Sequence, residues 1–437
     1  MSDLSLKAKI GQMIVVRTSG HLFDAQIRYP RWEATSEQLQ YWLSELNIGG
    51  VILLGGSAAE LALRSRQLQS WAQTPLLIAA DIEEGVGQRF EGATWFPPPM
   101  ALADISPLLA QNYARSMGEI IAQEALALGI NWLFAPVVDV NNNADNPVIN
   151  VRSFGETPAT VSQLATAFLE GCQTSPVLTT AKHFPGHGDT AVDSHVHLPV
   201  IPHSQERLAE VELPPFAAAI AQGVDSIMTA HLQIPAWDAD YPATLSPAIL
   251  TGQLREKMGF EGLIVTDALI MAGVANFADA QEICVQAVQA GADVLLMPDD
   301  PELAIEAVYQ AVQSGRISEQ RIQESVERVQ QVKAKVAPSW QFDEPLVDLG
   351  QLATPMATAT SEAILKHSLQ QGGALPLAIP QGEETPLNLV VVQDALNSPF
   401  LGAHTPAIAV PRQFGYECQV IEQQHLARFD VEVSTHP

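Results

Sequence analysis

Basic residues are scarce in this chain of 437: 22 lysines and arginines face 49 acids, leaving a formal net charge of −27. Such a balance repels phosphate backbones and anionic lipid surfaces, so nucleic acid and membrane surfaces are excluded as expected partners. Cysteine is scarcer still. Cys172, Cys284 and Cys418 stand over a hundred residues apart without a CxxC pair, which suggests neither a disulfide framework nor a thiolate metal site and fits a reducing compartment. There is no run of about 18 apolar residues to span a bilayer. The opening MSDLSLKAKIGQMIVV has charges spaced through it and no unbroken apolar core, so it does not read as a signal peptide, and a cytoplasmic location is expected. Oligomeric state leaves no trace in the sequence.

What the chain has instead is a series of short apolar runs separated by helical-looking stretches. They are QMIVV (12–16), GVILL (50–54), LLIAA (76–80), NWLFAP (131–136), LTTAKHF (178–184), DSIMTAH (225–231), GLIVTD (262–267) and DVLLMP (293–298). Unbroken rather than alternating hydrophobicity marks strands buried on both faces, and intervening helices imply parallel strands joined by crossovers. Eight such units fit a closed (β/α)8 TIM-type barrel. The rival, an open doubly wound sheet, lacks the GxGxxG that would follow an early strand. Six of the eight runs end in polar groups, namely Asp81, Asp139, Lys182 with His183, His231, Asp267 and Asp299, as the catalytic rim of a barrel requires.

The amphipathic stretch Ser318–Val336 should close the barrel domain, giving residues 1–337, with a linker over 338–355. Residues 356–437 then form a short or incomplete α/β segment, with a helix in TSEAILKHSL and strands in LNLVVV (387–392) and AIAV (407–410).

Asp267, a short carboxylate ending the rigid run GLIVTD, is well placed to attack an electrophilic carbon, although taken alone it reads better as the N-cap of the next helix. The stretch KHFPGHGDTAVDSHVHLP (182–199) holds four of the chain's eleven histidines. Asp193 and His195 lie two apart, so in extended backbone both project to one side, and the carboxylate can orient the imidazole for acid and base work. His197 shares that parity, and geometry leaves the two histidines tied. A metal site is the competing reading, but the spacing matches neither HExxH nor the barrel metallohydrolases, and none is expected. His187 is expected to hold its loop through backbone hydrogen bonds, with Asp189 in a similar role. Lys182 and His183 offer donors that suit the hydroxyls of a sugar.

These motifs, together with KIGQM, IGGVILL, D-x-E-x-G-x-x-Q-R-F at 81–90, NPVINVRSFG, MTAHLQIPAWD, PATLSP and LREKMGFEGLIVTDAL, resemble glycoside hydrolase family 3 from about residue 5 to 335. The histidine loop is similar to that of the family's exo-β-N-acetylglucosaminidases. The resemblance implies Asp267 as nucleophile and His195, assisted by Asp193, as acid/base, which breaks the tie with His197. It implies Asp81, Arg89, Arg152, Lys182 and His183 as holders of the terminal sugar, with no cofactor. Implied is retaining hydrolysis of terminal β-linked N-acetylglucosamine, as in muropeptide recycling. The alternatives are a β-glucosidase or a phosphorolytic variant, and more remotely a metal-dependent hydrolase or a silent sugar-binding protein. Two departures from the family pattern stand out: Glu84, Val86 and Gly87 replace two glycines and an arginine, and Ala268 replaces an aspartate beside the nucleophile position. The tail resembles the start of the family's second, α/β-sandwich domain.

Overall fold

A computed structural model describes residues 4–27, 30, 33–192, 194, 197–337, 349–369, 387–392 and 417–422. Eight parallel strands form one sheet: β1 (Ile14–Thr18), β2 (Gly50–Leu53), β3 (Leu77–Ala80), β4 (Trp132–Leu133), β5 (Leu178–Phe184), β6 (Ser226–Thr229), β7 (Leu263–Val265) and β8 (Leu295–Leu296). Strands β1 to β7 pair in sequence order, β8 pairs with β1, and a parallel bridge between Val265 and Val294 brings the two ends of the sheet together. All eight expected runs are strands of this barrel.

The unbroken hydrophobicity of those runs has a direct cause. Alternate residues of each strand enter different cores: Val15, Ile52, Ala79, Trp132, Val265 and Leu296 pack into one. Ile14, Val51, Ile78, Leu133, Ile264 and Leu295 pack into the other, beneath the helices. With both faces covered, period-2 patterning vanishes. Trp132 satisfies its buried Nε1–H inside the barrel by donating to Thr180 Oγ1 at 2.9 Å and Ser226 Oγ at 3.0 Å.

At the amino-terminal end of the barrel, the helix Glu319–Val336 does more than cover the sheet. Asp293, wholly buried before β8, accepts from Arg255 Nη2 at 2.7 Å, Arg321 Nη1 at 3.2 Å, Arg328 Nη1 at 3.1 Å and Ser325 Oγ at 2.7 Å. The backbone N–H of Ile264 on β7 donates to the same carboxylate at 3.1 Å. One carboxylate thus ties the last two strands to the closing helix.

The first compact unit runs from Met1 to Ser368 and the second from Leu369 to Pro437. The helix Pro355–Ser368, expected in the C-terminal segment, therefore belongs with the barrel, because it and the turn before it find partners there. Leu352, Ala357 and Ile364 are buried in the outer core, and Ser361 Oγ donates to the Trp95 carbonyl at 3.2 Å. Glu124, buried on the helix Pro107–Ala127, accepts from the Ala353 N–H at 2.8 Å, from Thr94 Oγ1 at 2.5 Å and from the Thr94 N–H at 2.9 Å. In the second unit, Leu387–Val392 pairs in parallel with Glu417–Glu422. The strand expected over 407–410 lies outside the described residues.

Candidate active site

The carboxyl ends of β3, β4, β5 and β7 gather a dense charged cluster. Lys182, on β5 and buried among the strands, donates from Nζ to Asp81 Oδ1 at 2.7 Å and sits 2.6 Å from Glu83 Oε1. Arg152 grips the same Glu83 with both arms, Nε to Oε2 and Nη2 to Oε1, each at 2.8 Å. Burial alone would raise the Glu83 carboxyl, but Arg152 and Lys182 outweigh it and hold the group well below the usual range. Burial likewise opposes the Lys182 ammonium, and Asp81 and Glu83 outweigh it, so the lysine stays charged. Arg89 is exposed and reaches the group only through Nε, 3.2 Å from the Asp81 carbonyl.

His183, beside Lys182, donates from Nδ1 to Asp139 Oδ2 at 2.8 Å. Desolvation would raise the Asp139 carboxyl, but His183 and His187 pull it down, so it is ionised and accepts that proton. The bond fixes the orientation of the imidazole, with Nδ1 turned to Asp139. Asp139 Oδ1 also takes the backbone N–H of His187 at 2.6 Å.

Asp267 follows β7 and is half-buried, with Oδ1 accepting from the Ala268 N–H at 2.7 Å. The next helix starts at Ala272 with Met271 as its cap, so Asp267 is no N-cap. His231, at the end of β6, donates from Nε2 to the Ala268 carbonyl at 3.1 Å, while its Nδ1 lies 2.8 Å from Thr244 Oγ1. Ala268, the residue after Asp267, is therefore held through both its N–H and its carbonyl. Asp193 and His195 lie outside the described residues.

The histidine loop separates by partner. His187 bonds to side chains, with Nδ1 2.8 Å from Thr190 Oγ1 and Nε2 3.0 Å from Ser194 Oγ, rather than to the backbone as expected. Asp189 turns the other way, to His203 Nε2 at 2.7 Å and Arg207 Nη2 at 3.4 Å. His197 is exposed. Among the described residues no group of three or more His, Cys, Asp or Glu is placed to hold a metal.

Residues 5–332 match the model for the glycosyl hydrolase family 3 N terminal domain, and residues 379–435 match the bacterial glycosyl hydrolase family 3 C-terminal domain. The chain belongs to glycoside hydrolase family 3. It is 37% identical over 333 residues to beta-hexosaminidase A of Pseudoalteromonas piscicida, covering 69% of this chain and 56% of that protein. The chain thus spans little more than half of that relative. It is 33% identical over 392 residues to a beta-N-acetylglucosaminidase/beta-glucosidase of Cellulomonas fimi, covering 86% and 67% of the two chains. The solved family 3 beta-N-acetylglucosaminidase from Paenibacillus sp. str. FPU-7 superposes with a TM-score of 0.81 at 36% identity, covering 97% of this chain and 82% of that one.

Two members of this rim cluster are not singled out by sequence reasoning. Glu83 stands in the D-x-E pattern directly beside Glu84, and Asp139 is one rim residue among seven. Only the pattern's spaced acids could have distinguished Glu83.

Burial, ahead of repulsion from His183, pushes the His187 imidazole from 6.5 down to about 4. Unfolded, this ring takes its proton near pH 6.5; folded, it stays neutral until about pH 4, so the unfolded chain binds more protons in that window. Stability contributed by neutral His187 is complete above about pH 6.5 and is lost on acidification toward 4, amounting to ~3 kcal/mol. In urea titrations the midpoints of wild type and His187→Asn should converge as pH falls from 7 to 4.5. Parallel pH dependence of the two proteins would refute this.

Proposed function

We propose that the chain is a retaining exo-glycosidase that removes terminal β-linked N-acetylglucosamine, with Asp267 as nucleophile and His195, oriented by Asp193, as acid/base. The observation that carries this reading is the rim cluster in which Lys182 and Arg152 share Glu83 while Asp81 and His183 flank them. That arrangement is rigid, charged and rich in donors, as recognition of a polyhydroxylated ring demands. The names of the Pseudoalteromonas and Paenibacillus relatives support the acetamido sugar.

In the first step an Asp267 oxygen attacks the anomeric carbon as its bond to the leaving oxygen breaks, and His195 gives that oxygen its proton. In the second, His195 takes a proton from water, whose oxygen displaces the carboxylate and restores the original anomeric configuration. Asp81, Arg152, Lys182 and His183 hold the ring, and Arg89 contributes from the edge. A neutral imidazole adds no negative charge beside the glycosyl-enzyme, so phosphate can compete with water. Cell-wall muropeptide fragments in the cytoplasm are the proposed source of substrate.

The test compares nitrophenyl β-N-acetylglucosaminide with the β-glucoside, and repeats the assay in phosphate buffer. Preference for the N-acetylglucosaminide is expected. Preference for the glucoside would favour the second reading, a β-glucosidase, which the double name of the Cellulomonas relative makes specific. Sugar 1-phosphate among the products would show phosphorolysis, and its absence would remove that option. Activity lost in chelator and restored by zinc would overturn the glycosidase mechanism.

A further inference from the structure

Three loops of the rim meet at one residue that none of the assigned roles uses. Ser194, only 2% exposed, lies between Asp193 and His195 in the chain. Its hydroxyl is 3.0 Å from His187 Nε2, and its carbonyl accepts from the Gly273 N–H at 3.1 Å. Gly273 lies in the short helix Ala272–Ala275 after β7, six residues beyond Asp267. A Cβ built on Gly273 would come within 2.5 Å of the Ser194 oxygen, so the approach depends on glycine.

The protons on this contact can be assigned. Thr190 Oγ1 donates to the His187 carbonyl at 3.1 Å, so toward the ring it accepts, and Nδ1 is the protonated nitrogen. Nε2 is then an acceptor for the Ser194 hydroxyl. Asp139 fixes this histidine from behind through its backbone N–H and binds the His183 ring with its other oxygen. His187 is 1% exposed and Asp139 0%, so the series is shielded from water throughout. The charged and titratable groups facing the His187 ring are Asp139 after β4, His183 on β5 and Asp267 after β7.

We propose that Asp139, His187 and Ser194 form a positioning relay that joins the sugar-holding His183 to the segment bearing Asp193 and His195. Ser194 is its end point and governs proton delivery to the leaving oxygen. The relay rests on the acid/base role proposed above for His195. Ser194 exchanges no proton with substrate. Its side chain and its carbonyl are both held, so Ser194 itself is a fixed point between the β5 loop and the helix after β7.

The experiment uses two substrates that differ in their need for an acid. The β-linked disaccharide of N-acetylglucosamine expels an alkoxide that must be protonated, whereas the 2,4-dinitrophenyl glycoside expels a phenolate that leaves unaided. For Ser194→Ala, kcat/KM on the disaccharide should fall by at least about tenfold, and on the dinitrophenyl glycoside by less than about twofold. The alkaline limb of the pH profile should flatten for the disaccharide alone. Gly273→Ala, which displaces the Ser194 carbonyl by crowding, should reproduce the selectivity and stands in if Ser194→Ala does not fold. Equal losses on both substrates, or none on either, would overturn the relay. A wild-type protein that turns over neither substrate would instead sink the proposed function, and the relay with it.

Discussion

Replacing Asp267 by alanine is expected to lower kcat for an aryl N-acetylglucosaminide on the order of 10⁴-fold or more, while the unfolding transition stays in place. The size of the effect comes from what the side chain does in the proposed mechanism, where it supplies the electron pair for a covalent bond that no neighbour can replace. The site gives it little freedom. β7 is buried on both sides, the Ala268 N–H orients one carboxylate oxygen, and His231 clamps the Ala268 carbonyl. Rotation of the carboxylate would break the first of these bonds. Sodium azide should partly restore turnover in the alanine variant by entering the vacated space and giving the α-glycosyl azide. A variant that keeps more than about a tenth of wild-type kcat would rule out Asp267 as nucleophile.

The largest effect on stability is expected at the opposite end of the barrel. Asp293→Ala should lower the unfolding free energy by about 3–5 kcal/mol, because it leaves three arginines partly buried around a lost anion. The loss also strips the β7 amide of Ile264 and the Ser325 hydroxyl of their acceptor. Urea unfolding measures it directly, and a change below about 1 kcal/mol would show that the arginines find other partners. Under conditions where the variant is folded, kcat should change little, since amino-terminal barrel residues serve stability and carboxyl-terminal ones chemistry.

The barrel is legible in the sequence because each strand is its own signal: eight runs of four to seven buried residues survive any loop length between them. Rim positions are legible for the same reason, since a polar residue after such a run can only be a strand end. Pairing is not. Lys182 meets Asp81 across 101 positions, Arg152 meets Glu83 across 69, and His183 meets Asp139 across 44. No local pattern encodes which acid faces which base, so Glu83 and Asp139 can be counted but not placed. His187 shows the limit in another way. Its neighbours Gly186 and Gly188 suggest backbone bonding, whereas a loop that folds back on itself brings Thr190 and Ser194 hydroxyls to the ring. The helix Pro355–Ser368 packs with the barrel unit although its sequence gives no sign of it, because a helix's own periodicity does not say which surface it will cover.

Glu124 links the loop after β3 to the chain beyond the barrel's closing helix. It joins Thr94, in the loop that starts at Asp81, to Ala353, beyond the last crossover helix. The Thr94 carbonyl in turn accepts from Gly87 at 2.7 Å, between Glu83 and Arg89. A protein trimmed after Val336 would keep every strand of the barrel, yet the loop that carries Asp81 and Glu83 would lose one of the struts that brace it. On the proposed role of Asp81, the turn at Ala353 is therefore a second place from which grip on the sugar can be adjusted, with the residues that hold it unchanged.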